Sequence, residues 1–412
     1  MTEAALRLGA GRHAPTTELP PGVATSVHEL ATSDGATVTG VLRSVAGTST
    51  VVTLMHPRQD VTHHALVPYL LRAGFATWTQ GSRSPNNDLN LLHEQAVLDF
   101  AAGQQFLRAA GFDHVVALGH SGGGTLTALY CQQASLPPDE RLSTTPGGRP
   151  VPLQDTRLPL PDGVIFLAPH PGQGALLARM IDPSVIDETD PLSVDPELDA
   201  FSPANGFVAA PECSRYSAEF IAHYRAAQLD RVRRIDELAR AAVDEAQRAN
   251  RAFKARGDDA ERRRALAPCL ITVYRTDADL RNVDLSIDPN QRPYGSLFGR
   301  RPDLTNYGLV GFGRISTAEA WLSTWSALST NADFLRCAPG VSLPTLLLEY
   351  TGDQACFPSD ITRMREALGS ADLTTESVPG THFGGPIAPS EPTGTELAAG
   401  RVRTWLCERF TS

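Results

Sequence analysis

The sequence predicts an α/β protein: a mostly parallel central sheet flanked by helices, with a large insertion before its last two strands. Three observations carry this expectation. Short apolar, β-branched segments alternate with helical patterns of ten to twenty residues, the signature of βαβ units. One such strand pattern, His114-Val115-Val116-Ala117-Leu118, runs through Gly119-His120-Ser121-Gly122-Gly123 directly into a helical segment. The stretch between about 171 and 341 is too long to be a loop and must form a second layer or a mainly helical cap.

Taken in order, residues 23–30 and 36–42 read as strands joined by the hairpin-turn signal Ser33-Asp34-Gly35. Residues 50–55 form a strongly β-branched strand that ends in His56-Pro57-Arg58-Gln59. A helix over 61–73, a strand over 75–80 and a helix over 91–110 follow, the last carried by Leu92, Ala96, Phe100 and Phe106. The proline-rich stretch 137–161 reads as a long surface loop, and 163–168 as the next strand. The pattern resumes with a strand at 345–350, a helix at 361–368, a strand at 373–378 and a closing helix at 395–410. The expected organisation is an N-terminal extension (1–22), a core made of 23–170 and 342–412, and a cap at 171–341.

Within the cap, residues 218–264 read as one long helix or two. Ile221, Tyr224, Val232, Ile235, Ala239, Ala242, Ala246, Ala249 and Phe253 recur at three-four spacing between charged flanks. Such a seam packs on another helix, within the cap or across a homodimer, or forms the packed face of a solvated surface helix. The later aromatics Tyr294, Phe298, Tyr307, Phe312, Trp321 and Trp325 either build the cap's core or line a pocket.

The composition is that of a globular protein: 412 residues, 42% hydrophobic and 20% charged. A net charge of −10 argues against nucleic acid or an anionic membrane as partner and leaves a small molecule as the expected one. Lys254 is the only lysine, a bias toward GC-rich codons rather than a mechanism. The first 21 residues lack the apolar core of a signal peptide, and no window approaches a membrane span. Six scattered cysteines without a C-x-x-C fit reduced thiols in a cytoplasmic protein, and Cys356 reads as a small buried thiol.

A sharp strand-to-helix turn needs small residues around Ser121, because side chains there would strike the neighbouring strand or helix. It would hold the Ser121 hydroxyl at the tip of the sheet, with the Gly122 N–H beside it. A serine hydroxyl needs a base, and the base needs an orienting group. Only His170, His223 and His382 follow Ser121. His382, in Pro379-Gly380-Thr381-His382-Phe383-Gly384-Gly385 after the last strand, can reach the turn from the sheet's C-terminal edge. His170 ends the strand after the turn, as a rival base or pocket residue, and His223 reads as structural. Asp353 and Asp360 are the candidate acids; Asp360 suits the N-cap of the following helix, so Asp353 is preferred. An oxyanion needs a second donor besides Gly122, and Pro57 has no N–H, which selects the Arg58 amide, with Gln59 next. His56, His170, Tyr307 and Trp325 are the candidate substrate-binding residues.

These motifs resemble the α/β-hydrolase superfamily. Gly119-His120-Ser121-Gly122-Gly123 matches its nucleophile elbow, His56-Pro57-Arg58 its oxyanion turn, and Gly380-Thr381-His382-Phe383 its histidine loop. The likeness covers about 23–170 and 342–410 and leaves the insertion unassigned to a type of cap. Family members often carry Gly-x-x-Asp after the acid strand, which falls on Ala355 here; Asp353 stands two residues earlier. The resemblance implies a serine hydrolase that cleaves a carboxylic ester or lactone of a small to medium-sized molecule, without metal or organic cofactor. Thioester, amide or carbon–carbon cleavage and acyl transfer use the same triad, and a non-catalytic binding protein on the same fold is the alternative of a different class.

Overall fold

The structure, a computed structural model, describes residues 18–85 and 88–411, so most of the expected N-terminal extension lies outside the described residues. Before the insertion come β1 (Ala24–Ala31), β2 (Thr37–Ser44), β3 (Thr50–Met55), α1 (Val67–Arg72) and β4 (Ala76–Gln80). They are followed by α2 (His93–Ala109), β5 (His114–His120), α3 (Gly122–Ser135) and β6 (Gly163–Leu167). The insertion carries α4 (Gln173–Met180), α5 (Ala218–Arg256), α6 (Asp259–Leu266), β7 (Leu270–Thr272) and α7 (Pro302–Thr305). It ends with β8 (Ile315–Thr317), α8 (Ala318–Ala320) and α9 (Phe334–Cys337). The chain closes with β9 (Thr345–Gly352), α10 (Pro358–Ala367), β10 (Leu373–Thr381) and α11 (Gly394–Phe410).

Eight strands form one sheet in the order β1-β2-β4-β3-β5-β6-β9-β10. The β1–β2 and β2–β4 pairs are antiparallel and every later pair is parallel. Alternate side chains of the central strands feed two cores, because successive residues of a strand face opposite sides. Ala117, Phe166 and Leu347 pack under α2, α3 and α10, whereas Val116, Leu118, Ile165 and Leu348 pack against α1 and α11. This is the α/β-hydrolase fold: a mostly parallel sheet with a Gly-x-Ser-x-Gly turn leaving a central strand for a helix.

Local differences from the sequence reading have local causes. The helix expected over 61–73 begins only at Val67, where Pro68 supplies a pre-set first turn. The residues ahead of it are tight turns in which the His64 ring accepts the Leu66 amide. The stretch 137–161 is irregular, yet Val151, Leu153 and Leu158 are buried in the α2–α3 core and Pro159 O accepts the Tyr130 hydroxyl. The charged region 218–264 is two helices, broken at Gly257, whose positive φ of 69° ends α5. Its seam from Val232 to Val243 packs within the chain, on Leu177 of α4, on Ile181 just after it, and on Trp321 and Trp325.

The insertion is tied to the sheet layer at the start of α2. A π-helical turn at Trp321–Trp325 presents Ser323 and Thr324 there: Ser323 Oγ accepts the His93 amide and donates to Glu94, and Thr324 donates to Leu91 O. No helix among the described residues is long and apolar enough to cross a membrane.

The elbow is wedged between strand ends. A Cβ added at Gly123 would stand 2.6 Å from Met55 O at the end of β3. Gly123→Ala should therefore lower stability by about 1–3 kcal/mol in urea unfolding; a variant as stable as the parent would show that this contact is not a constraint.

Candidate active site

Ser121 sits between β5 and α3 with φ 56° and ψ −124°, a conformation rare for a residue with a side chain. Its amide donates to Leu167 O of β6, which pins the turn to the neighbouring strand. Gly122 opens α3, so its N–H lies outside the intrahelical bonding.

Three distant segments meet at this serine. His382, at the end of β10, places Nε2 2.8 Å from Ser121 Oγ. Its Nδ1 lies 2.9 and 2.8 Å from the two carboxylate oxygens of Asp353. Asp353 follows β9 and is itself fixed, because Oδ1 also accepts the Ala355 and Cys356 amides. The shared proton therefore belongs on Nδ1, leaving the Nε2 lone pair for the serine. Ser121 is 9% exposed and His382 and Asp353 1% each, so all three side chains are covered. Asp360 stands apart from them. It is the third residue of α10 rather than the N-cap expected from sequence, and its carboxylate accepts the Phe357 amide and pairs with Arg281.

His120, the variable residue of the elbow, joins a directed chain of imidazoles. Leu66 N–H donates to His64 Nδ1, His64 Nε2 lies 2.9 Å from His120 Nδ1, and His120 Nε2 lies 3.1 Å from His382 O. With every proton on Nε2 each bond has one donor and one acceptor, and the chain anchors the histidine loop to the elbow. Burial pushes the His64 pKa down to about 4 and that of His120 well below its usual value, which keeps both rings neutral.

The oxyanion turn departs from expectation. The Arg58 and Gln59 amides both donate to His56 Nδ1, at 3.0 and 2.9 Å. The turn after Pro57 folds both onto the ring, so the Arg58 N–H expected as second oxyanion donor is already engaged. His170 is held alike, its Nδ1 accepting the Gly172 amide at 3.1 Å. Both rings thus carry their proton on Nε2, and both Nε2 atoms stand beside Gly122. Burial holds the His56 pKa well below its usual value and brings His170 down to about 3.

The remaining expected residues divide. The Arg58 side chain is clasped by Asp88 at 2.6 and 2.5 Å and lies 4.9 Å from the Trp325 ring and 5.1 Å from that of Phe312. Trp325 thus reaches the wall of the oxyanion turn. Tyr307 does not join this group: its half-exposed ring packs on Arg275, whose guanidinium donates to its hydroxyl. Cys356 is buried, and burial raises its thiol pKa well above the usual range. Among the described residues no group of three or more His, Cys, Asp or Glu side chains is arranged to hold a metal ion.

Sequence reading missed His64, His120, His93 and Gln173. A signal for the last was present: His56-Pro57-Arg58-Gln59 after β3 is echoed by His170-Pro171-Gly172-Gln173 after β6. These two strands flank β5, so the elbow is bracketed by a repeated turn.

Neither protein-family models nor curated proteins gave a match to the sequence. Solved structures of similar shape include DcsB in complex with its substrate analogue, at 12% identity and a TM-score of 0.49 over 94% of this chain and 100% of that one. They also include the α/β hydrolase GrgF from Penicillium sp. sh18, at 13% identity and 0.49 over 94% and 99%. Est1E from Butyrivibrio proteoclasticus is similar at 11% identity and 0.45 over 94% and 99%. The fold assignment rests on the strand order and the elbow.

Five buried histidines, 56, 64, 93, 120 and 170, have pKa values lowered by burial, His93 to about 4. A depressed folded pKa means that the unfolded chain takes up protons first as pH falls. Stability should be intact above about pH 6.5 and decline toward pH 4, by up to about 1.4 kcal/mol per pH unit for each histidine. Urea midpoints measured across that range test this; midpoints that stay level or rise on acidification would show the rings to be charged in the folded protein.

Proposed function

We propose that this protein is a serine hydrolase that cleaves a carboxylic ester or lactone of a small to medium-sized molecule through an acyl-enzyme on Ser121. The observation that carries the reading is the unbroken series Ser121 Oγ, His382 Nε2, His382 Nδ1, Asp353, with contacts of 2.8 to 2.9 Å throughout.

In this reading His382 removes the Ser121 proton as Oγ attacks the carbonyl carbon, and Asp353 holds the resulting imidazolium in place. The negative charge collects on the carbonyl oxygen beside the Gly122 N–H. His382 then returns the proton to the departing alkoxide, and the carbon–oxygen bond of the ester breaks. Water, deprotonated by the same imidazole, attacks the acyl-serine; as the acyl–Oγ bond breaks the imidazolium returns that proton to Ser121 Oγ, and the acid is released. The backbone amides on Asp353 stop its carboxylate from rotating, so the base stays on the tautomer the reaction needs.

A fluorophosphonate probe should label the folded protein and fail to label Ser121→Ala; absence of labelling in the folded parent would overturn the reading. Asp353→Asn should reduce kcat on a p-nitrophenyl ester by about 10²- to 10⁴-fold, because the amide favours the wrong tautomer. Asp360→Asn should leave kcat within about threefold while costing about 1 kcal/mol of stability through the lost charge pairing with Arg281. Near-normal turnover by Asp353→Asn would remove that residue from the mechanism.

A further inference from the structure

The environment of Gly122 holds more hydrogen-bond donors than one oxyanion uses. A Cβ placed on Gly122 would stand 2.4 Å from Gln173 Nε2, 2.9 Å from His56 Nε2 and 3.0 Å from His170 Nε2. Three side-chain nitrogens, from the turn after β3, the turn after β6 and the first residue of α4, therefore surround one point. Their polarity is set by their other bonds. His56 Nδ1 accepts two amides and His170 Nδ1 accepts one, so each ring presents an N–H toward Gly122. The amides bound to His56 also polarise its ring and strengthen it as a donor.

Gln173 supplies the independent observation. It is 2% exposed, and neither its amide nitrogen nor its amide oxygen makes a well-formed hydrogen bond within the protein; the polar side chain in reach is His93, whose own Nε2 is equally without a well-formed bond. A buried primary amide left unpaired is costly, and it calls for a partner from outside the chain, an ordered water, an ion or a ligand. The charge balance indicates what the ligand carries. Arg58, the nearby cation, is bound by both oxygens of Asp88, and the imidazoles around Gly122 are neutral. Among the described residues there, no unpaired cation offsets a buried negative charge, so an uncharged oxygen acceptor fits better than a carboxylate.

We propose that the space beside Gly122 is a subsite for a second, uncharged carbonyl oxygen, bound by His170 and Gln173 while the Gly122 amide and the His56 Nε2–H take the oxygen of the scissile carbonyl. The preferred substrates are then acyl compounds with two neighbouring carbonyls, 2-oxo or 3-oxo esters and lactones. This deepens the hydrolase reading and rests on it for the chemistry, but the binding it asserts can be measured without turnover.

The test is calorimetric binding to Ser121→Ala of four matched ligands: ethyl butanoate, ethyl pyruvate, ethyl acetoacetate and monoethyl malonate. At least one oxo ester should bind about tenfold or more tightly than ethyl butanoate, and the malonate, with a carboxylate in place of the keto group, should bind no better than ethyl butanoate. Adding Gln173→Leu should shrink the oxo-ester advantage to about threefold or less, with a melting curve confirming that the variant is folded. Equal binding of oxo and plain esters, or a preference for the malonate, overturns the proposal. Should Gln173→Leu fail to fold, the four-ligand comparison still decides. A parent that reacts with fluorophosphonate yet shows no oxo preference loses only this subsite; an unreactive parent whose Ser121→Ala form prefers oxo esters keeps the subsite and loses the hydrolase reading.

Discussion

The backbone of Ser121 is the constraint on which the rest of the site depends. Holding a side-chain-bearing residue at φ 56° costs of order 1–3 kcal/mol and persists only where the surroundings leave no alternative. Here they leave none. The Ser121 amide is bound to β6, Gly123 presses on the end of β3, and a Cβ at Gly119 would strike Gly123 O at 2.6 Å. The elbow is thus clamped from both flanking strands. Because β3, β6 and β9 run parallel to β5, their C-terminal ends deliver His56, His170 and Asp353 to the same edge as the serine.

The second organising feature is a group of histidines kept uncharged and given direction by backbone amides. At His56, His64 and His170 the amide two residues on donates to Nδ1. That local bond decides which nitrogen carries the proton, and so which way each ring donates. His64 spends its donor on His120, and His120 spends its own on the carbonyl of His382. His56 and His170 keep theirs for the space beside Gly122. Crowding one end of the sheet with imidazoles is tolerable because burial suppresses their charge.

Much of this was legible in the sequence, and the limits have physical reasons. Strand and helix patterns placed nearly every core element, since burial on both faces of a parallel sheet imposes long apolar runs. Ser121, His382 and Asp353 could be named because elbow, loop and strand order constrain where a base and an acid can arrive. Asp360 could be set aside for its capping role, although it caps from inside the first turn. The Arg58 amide misled: local sequence shows which amides exist, not which ring they fold against. His120 was invisible for a related reason, since the variable residue of an elbow acquires meaning only from partners far along the chain, whereas Gln173 left the echo of His56-Pro57-Arg58-Gln59 in His170-Pro171-Gly172-Gln173. Tyr307 and Trp325 had identical standing as cap aromatics, and only tertiary packing separates the one on Arg275 from the one on Arg58.

The central claim is that a covalent acyl-serine forms at the elbow. It is tested most directly by quenching the protein during turnover of p-nitrophenyl acetate and mapping the peptides by mass spectrometry. The account predicts an acetyl group on the peptide that contains Ser121, formed before the steady state and absent from His382→Ala. Steady turnover with no adduct at Ser121, or an adduct confined to another nucleophile such as exposed Cys269 or Cys407, would contradict it.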